Sequence, residues 1–173
     1  TGATWGYRQK ARLGVKFVTK KNKLLIGFHE TNGRHTADLN SCPILSNEMG
    51  EHLPGISQLI HSLNCYEQIP QIEIAAGDNK IALIFRHLID LSDSDKQKLI
   101  EFGKQHNFNI YLQPNKPKPT EKLWPVDNNP YLSYHLPDFQ LEMLFQPDDF
   151  TQINASINQS MIQQAITLLA PKA

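Results

Sequence analysis

Hydrophobic and polar residues alternate from residue 8 to residue 17. Ala11, Leu13, Val15 and Phe17 fall on one side, and Arg8, Lys10, Arg12 and Lys16 on the other. Period two with one apolar face predicts a half-buried strand whose outer face is cationic. Lys20-Lys21-Asn22-Lys23 turns the chain, and Leu24, Ile26 and Phe28 predict the buried face of an antiparallel partner. After a loop at 31–35, the segment 36–39 reads as a short third strand. Ser46 then caps a helical region whose inner face is Leu53, Ile56, Leu59, Ile60 and Leu63. Pro54-Gly55 predicts a break into two pieces, with Pro54 in the first turn of the second.

A second set of strands follows. Segments 71–76 and 80–87 are joined by Gly77-Asp78-Asn79, which supplies the residues a hairpin turn needs. Ile81, Leu83 and Phe85 share one face while Ala82, Ile84 and Arg86 share the other, which predicts a central strand. Ser92 and Asp95 are spaced as a capping box for a helix anchored by Leu99 and Phe102 and ended by Asn107. Phe108, Ile110 and Leu112 mark another strand. The connector Pro114-Asn115-Lys116-Pro117-Lys118-Pro119 is extended, as an inter-domain linker or a surface loop; strands resume after it, which favours the loop. Segments 131–136 and 139–145 flank Pro137-Asp138 as a last hairpin.

The final helix repeats Ile157, Met161, Ala165 and Leu169 at i+4, with Ile162 and Ile166 beside them. Asn154 is a suitable N-cap, which leaves Phe150 and Gln152 ahead of the helix start and free to face a ligand. The order of elements predicts an α+β fold, a largely antiparallel sheet with helices packed on it.

Composition narrows the function classes. Charged residues at 20% and hydrophobic ones at 40% exclude a disordered chain, and 173 residues suit one domain. No apolar run approaches a membrane span, so no membrane partner is expected. Cys42 and Cys65 are not in C-x-x-C spacing, and two thiols in a chain of this size point to a reducing cytoplasm rather than a disulfide scaffold. The formal net charge is zero, but residues 1–35 hold eight basic residues against Glu30 alone. That end therefore presents a directional field to an anionic partner. The outer face of the first strand is either a solvated sheet surface or one that tracks phosphates.

Several chemistries have no residues to carry them. The chain has no glycine-rich phosphate loop, no H-E-x-x-H and no zinc-type cysteine pair, and its seven histidines never fall at i+4. Cys65 reads as a small, half-buried hydrophobe, and Cys42 has the same default. Cys-Pro does close some iron–sulfur cysteine sets, but one cysteine does not hold a cluster.

Taken together, Trp5-Gly6-Tyr7-Arg8-x-Lys10-Ala11-Arg12-Leu13, Ile26-Gly27-Phe28 and Cys42-Pro43-Ile44-Leu45 resemble the central domain of the bacterial 23S rRNA (uracil-5-)-methyltransferases of the RumA/RlmD type. Arg86-His87 with Leu91-Ser92-x-x-Asp95 adds to the likeness. So, above all, does Asp149-Phe150-x-Gln152-x-Asn154-x-x-x-Asn158-x-x-Met161. The resemblance runs over essentially the whole chain in the family's order. It implies a monomeric, cytoplasmic enzyme that transfers a methyl group from S-adenosylmethionine to C5 of a uridine in 23S rRNA. In that family a cysteine thiolate adds to C6 of a flipped-out uracil, and a general base removes the C5 proton.

Carried residue by residue, Cys42 resembles the fourth thiolate of a [4Fe–4S] cluster, and Gln152 the residue that contacts S-adenosylmethionine. Arg12 and Phe150 resemble residues on the RNA side of the cleft, with Arg8 and Lys10 beside them on the basic strand. Asn154 and Asn158 match the signature and read as helix-start residues. The resemblance divides the chain into 1–149, an RNA-recognition and cluster-supporting domain, and 150–173, the entry segment and first helix of an absent Rossmann-like methyltransferase domain. The other three cluster cysteines, the nucleophile and the base have no counterparts here. The chain is therefore expected to be an inactive fragment of such an enzyme that holds neither cofactor. The alternative is a stand-alone, non-catalytic RNA-binding module.

Overall fold

A computed structural model describes residues 2–31, 35–115, 119–127 and 129–170, with only the backbone of Asn47 and Glu48. The first strand, β1 (Lys10–Val18), pairs antiparallel with β2 (Lys23–Gly27) through a one-turn 3-10 segment. Asn22 closes that turn at φ 46°, a left-handed conformation that Asn tolerates better than most residues. On its other edge β1 pairs antiparallel with β3 (Gln71–Ala76), which pairs antiparallel with β4 (Ile81–His87). β4 pairs parallel with β5 (Phe108–Pro114), and β5 antiparallel with β6 (Glu121–Trp124). The sheet order is β2-β1-β3-β4-β5-β6, so the α+β expectation holds, with β4–β5 the parallel pair. A parallel pair needs a crossover, and helix α2 (Asp93–His106) provides it.

Helix α1 (Asn47–Ser62) and α2 cover the face formed by Leu13, Ile72, Leu83, Phe85 and Ile110. Leu53, Ile56, Leu59, Ile60 and Leu63 are buried there as their spacing predicts. The hairpin β7 (Leu132–Leu136) and β8 (Leu141–Phe145) lies against the other face, where Leu132 and Phe145 pack with Ala82, Ile84 and Tyr111. β4 is thus covered on both sides and central.

Three expectations need correction. The segment 36–39 is not a strand. Among the described residues its pairing is one bridge, His29 with Thr36, and two bonds donated by Ala37 and Leu39 to the carbonyls of Phe28 and Ile26. Helix α1 is also not broken at Pro54. The carbonyl that Pro54 leaves without its i+4 donor belongs to Gly50, and the Cys42 N–H donates to it at 3.3 Å. Finally, only half of the capping box forms. Ser92 Oγ accepts from the Asp95 N–H at 3.1 Å, but the buried Asp95 carboxylate turns away to the backbone and side-chain N–H groups of Asn64.

Strand β6 was not anticipated, because the proline-spaced connector before it hides the alternation. Residues 116–118 of that connector lie outside the described residues, as do 32–34 of the loop expected at 31–35. Asn107 does end α2, at φ 57°.

Candidate nucleic-acid interface

The segment before β1 is where the motifs meet. Its backbone runs between two others: Gly6 and Arg8 N–H donate to the carbonyls of Pro43 and Ile44, both at 2.8 Å, and Gln9 N–H donates to Ile153 at 2.9 Å. Arg8 forms bridges with Leu45 on one side and Asn154 on the other. Stretches some 35 and 145 residues apart in sequence are therefore fixed to one another by main-chain hydrogen bonds, which hold their geometry whatever the side chains do.

Arg8, Lys10 and Arg12 are engaged with other groups of the fold rather than free. Arg12 Nε and a terminal guanidinium nitrogen both lie 3.0 Å from Glu73 Oε1, which also accepts from Gln71 Nε2 at 2.9 Å. Arg12 keeps most of its side chain exposed, so it reaches solvent from a fixed base. Lys10 Nζ donates to the Asp149 carbonyl. Burial pushes the Lys10 pKa below its ordinary value, Glu73, Asp148 and Asp149 pull it back up, and Arg12 adds to the lowering. The Arg8 guanidinium lies 5.4 Å from the centre of the Phe28 ring, and among the described residues its buried Nε has no hydrogen-bond partner. Lys16 is exposed.

Past Asp149 the chain exposes Phe150 (85%) and Gln152 before helix α3 (Ala155–Leu169). Asn154 caps α3 as expected, with Oδ1 accepting from the Ile157 N–H at 3.2 Å. Gln152 and Asn158 border a crevice with Gln9, Ala76, Tyr134 and Phe145. Its free space of about 10 Å³ is at most one water's worth, so no cofactor fits it in this arrangement. Gln152 and Phe150 thus share the segment ahead of α3 with Lys10 and Arg8 nearby, while Arg12 sits farther along β1.

Helix α3 shows why a sequence with an amphipathic period need not be buried. It has no buried residue, and Ile157, Met161, Ile166, Leu168 and Leu169 are each at least 36% exposed. Its apolar face is formed but uncovered. Residues 171–173 lie outside the described residues.

Cys42 is a buried free thiol just beneath the surface, between exposed Ser41 and Pro43. Gly50 is what lets it sit there, because a Cβ on Gly50 would overlap the Cys42 carbonyl. Sequence reasoning missed this pairing; its signal is a glycine one turn ahead of a proline within a helix. Among the described residues no three His, Cys, Asp or Glu side chains converge to hold a metal. Cys42 fits a cluster only as one ligand, and the chain alone does not furnish a cluster's ligand set. Cys65 is buried and free, with its pKa pushed up to about 11 by burial and then by Asp95. A thiol so shifted is mostly protonated at neutral pH, which disfavours the thiolate a nucleophile needs. Among the described residues no helix is long and apolar enough to cross a membrane.

The architecture has a counterpart among solved structures. It matches 41% of a chain in the crystal structure of the Pyrococcus abyssi tRNA (uracil-54, C5)-methyltransferase in complex with S-adenosyl-L-homocysteine, with a TM-score of 0.69 over 96% of this chain. At 16% identity that likeness is one of fold. The sequence is similar to particular enzymes. It is 47% identical over 172 residues to the 23S rRNA (uracil(1939)-C(5))-methyltransferase RlmD of Hahella chejuensis, and 46% over 173 residues to that of Nitrosococcus oceani. That of Legionella pneumophila is 42% identical over 173 residues. Each match takes in 99% of this chain, which spans about two fifths of the length of these relatives. No protein-family model matches the chain. The resemblance read from the motifs is borne out: the chain is homologous along its length to RlmD-type 23S rRNA uracil-C5-methyltransferases.

Proposed function

We propose that this chain is the RNA-recognition part of an enzyme that transfers a methyl group from S-adenosylmethionine to C5 of a uridine in 23S rRNA, acting in the cytoplasm as a monomer. Residues 1–149 form the recognition domain, and 150–173 are the threshold of a methyltransferase domain. The observation that carries the reading is α3, an apolar helix face left uncovered directly after the Phe150–Gln152 segment. Such a face is stable in water only against a partner, and a catalytic domain entered at this point would cover it. The names of the homologues supply the reaction.

In this reading Gln152 offers its amide to S-adenosylmethionine, the group that supplies the methyl. Arg12, presented on Glu73, meets RNA phosphate, and Phe150 offers a ring to a base. Arg8 and Lys10 tie the RNA-facing strand to the entry segment. Cys42 gives one thiolate to a [4Fe–4S] cluster whose remaining ligands come from outside this stretch. The nucleophile in this reading lies outside this stretch, since Cys42 is buried under the Gly50 turn and burial raises the Cys65 pKa. The 173 residues by themselves therefore transfer no methyl group. The stand-alone RNA-binding reading loses support, because the cations it relies on are largely engaged within the fold.

The test is methylation of 23S rRNA by the natural full-length gene product with labelled S-adenosylmethionine. Gln152→Ala should weaken S-adenosylmethionine binding about tenfold, the value of a hydrogen bond made to a charged group. Cys42→Ser should lower the iron content of the purified full-length protein. A natural product ending at Ala173, or one inert toward 23S rRNA, would sink the proposal.

A further inference from the structure

Two cavities continue from the crevice at Gln152. The nearer, of about 360 Å³, shares Gln9 and Ala76 with that crevice. The farther, of about 460 Å³, shares Asn79, Lys80, Asn107 and Phe108 with the nearer. Together they make a trough that leads from the entry segment to Trp124 on β6. Each is within the size range of clefts that hold small ligands.

The far end has a distinct chemistry. Lys80, Lys104 and Lys122 line it, with Trp124 and Tyr131 as aromatic walls. Lys122 is committed to structure, because its Nζ donates to Asp127 and to the Asn129 carbonyl. Lys80 donates to the neutral Asn107 Oδ1, and the Lys104 ammonium rests 4.7 Å from the Trp124 ring centre. Among the described residues neither Lys80 nor Lys104 is ion-paired. Asp127 and the C-terminal end of α2, worth about half a negative charge, oppose three ammonium groups, so the cavity is net positive. Asn107 and Asn109 add amide groups of the kind that bond base edges.

We propose that this trough holds a single-stranded segment of the RNA substrate flanking the target uridine, with phosphates on Lys80 and Lys104 and a base on Trp124. A narrow trough with a ring and unpaired cations suits a single strand, whose bases are free to stack. Lys104 covers a face of Trp124, so moving its ammonium onto a phosphate uncovers that ring for the base. The proposal rests on the reading of the chain as part of an RNA methyltransferase.

The experiment uses the natural full-length protein and single-stranded RNA oligonucleotides of increasing length centred on the target uridine. In the Lys80→Gln/Lys104→Gln variant, affinity for the longer oligonucleotides should fall about tenfold at low salt. The slope of log K against log salt should become shallower by about 1.4, the release expected from two phosphates on a single strand. The Lys80→Arg/Lys104→Arg variant should restore both, and S-adenosylmethionine affinity should not move. An unchanged affinity and slope in the glutamine variant, with wild-type protein still methylating RNA, would overturn the trough alone. An equal loss in the arginine variant would mark the lysines as structural and also overturn it. Wild-type protein that neither binds nor methylates RNA would bring down the underlying reading instead.

Discussion

Gly50→Ala tests whether the Cys42 turn is seated as described, and its sign runs against ordinary helix propensity. Alanine within a helix is favoured over glycine by about 1 kcal/mol. Here the added methyl would overlap the Cys42 carbonyl oxygen and lie 3.2 Å from its carbon. Backbone cannot rotate aside as a side-chain tip can, and overpacking of this kind costs about 1–3 kcal/mol. Displacing the turn also breaks the Cys42 N–H bond to Gly50, whose carbonyl already lacks the donor missing at Pro54. A buried acceptor left unpaired costs about 1–3 kcal/mol more. The net expectation is destabilisation by about 1–5 kcal/mol, a drop in Tm of about 3–15 °C for a chain of this size. Cys42 should at the same time react faster with a thiol reagent.

Gly55→Ala is the matched control five residues along α1. Its methyl meets only the Phe102 ring, at 3.7 Å, which is ordinary contact. It should therefore raise stability by up to about 1 kcal/mol. Thermal unfolding by circular dichroism with thiol titration reads both variants. If Gly50→Ala matched or exceeded wild-type stability with Cys42 no more reactive, the account of this turn would be wrong.

Other expectations follow from single contacts. Arg12→Ala should cost about 1–3 kcal/mol in chemical unfolding, because Arg12 itself is largely exposed but its loss leaves the buried Glu73 carboxylate with Gln71 Nε2 in place of its cation; no loss at all would mean that the Glu73 pairing does not hold Arg12 in place. Met161→Lys should change the stability of this chain by no more than about 0.5 kcal/mol, since Met161 is half exposed on α3, yet destabilise the full-length protein. Equal effects in both would argue against a catalytic domain docked on that face. His106 has its pKa lowered, first by burial and then by His52. Below its ordinary value near 6.5 the unfolded chain therefore takes up this proton first, and stability should fall as pH drops through that window. His106→Gln should flatten the urea midpoint against pH there, and an unaltered profile would refute the assignment. Alkylation of Cys65 should be negligible at pH 8 and rise toward its pKa of about 11; rapid reaction at neutral pH would contradict its burial beside Asp95.

Local rules determined a good part of this molecule from the sequence. Period-two alternation located β1 to β5 and the last hairpin, because one side chain in two must face the helices or the hairpin. Asn107, Ser92 and Asn154 marked helix ends, because their conformations and bonds involve only near neighbours. The motif order also named the family that the homologues bear out. What the tertiary structure decided is where distant groups meet. Pro54 does not break α1, because Cys42, twelve residues earlier, donates to the carbonyl that a proline leaves open. Arg8, Lys10 and Arg12 look like one free cationic face in the alternation, but they meet Phe28, the Asp149 carbonyl and Glu73, partners brought in from just past β2, from just ahead of Phe150 and from β3. Lys80, Lys104 and Trp124 carry no shared spacing at all, and the crossover of α2 puts them on one trough. Periodicity records which way a residue faces; only the packing of elements against one another settles what it faces.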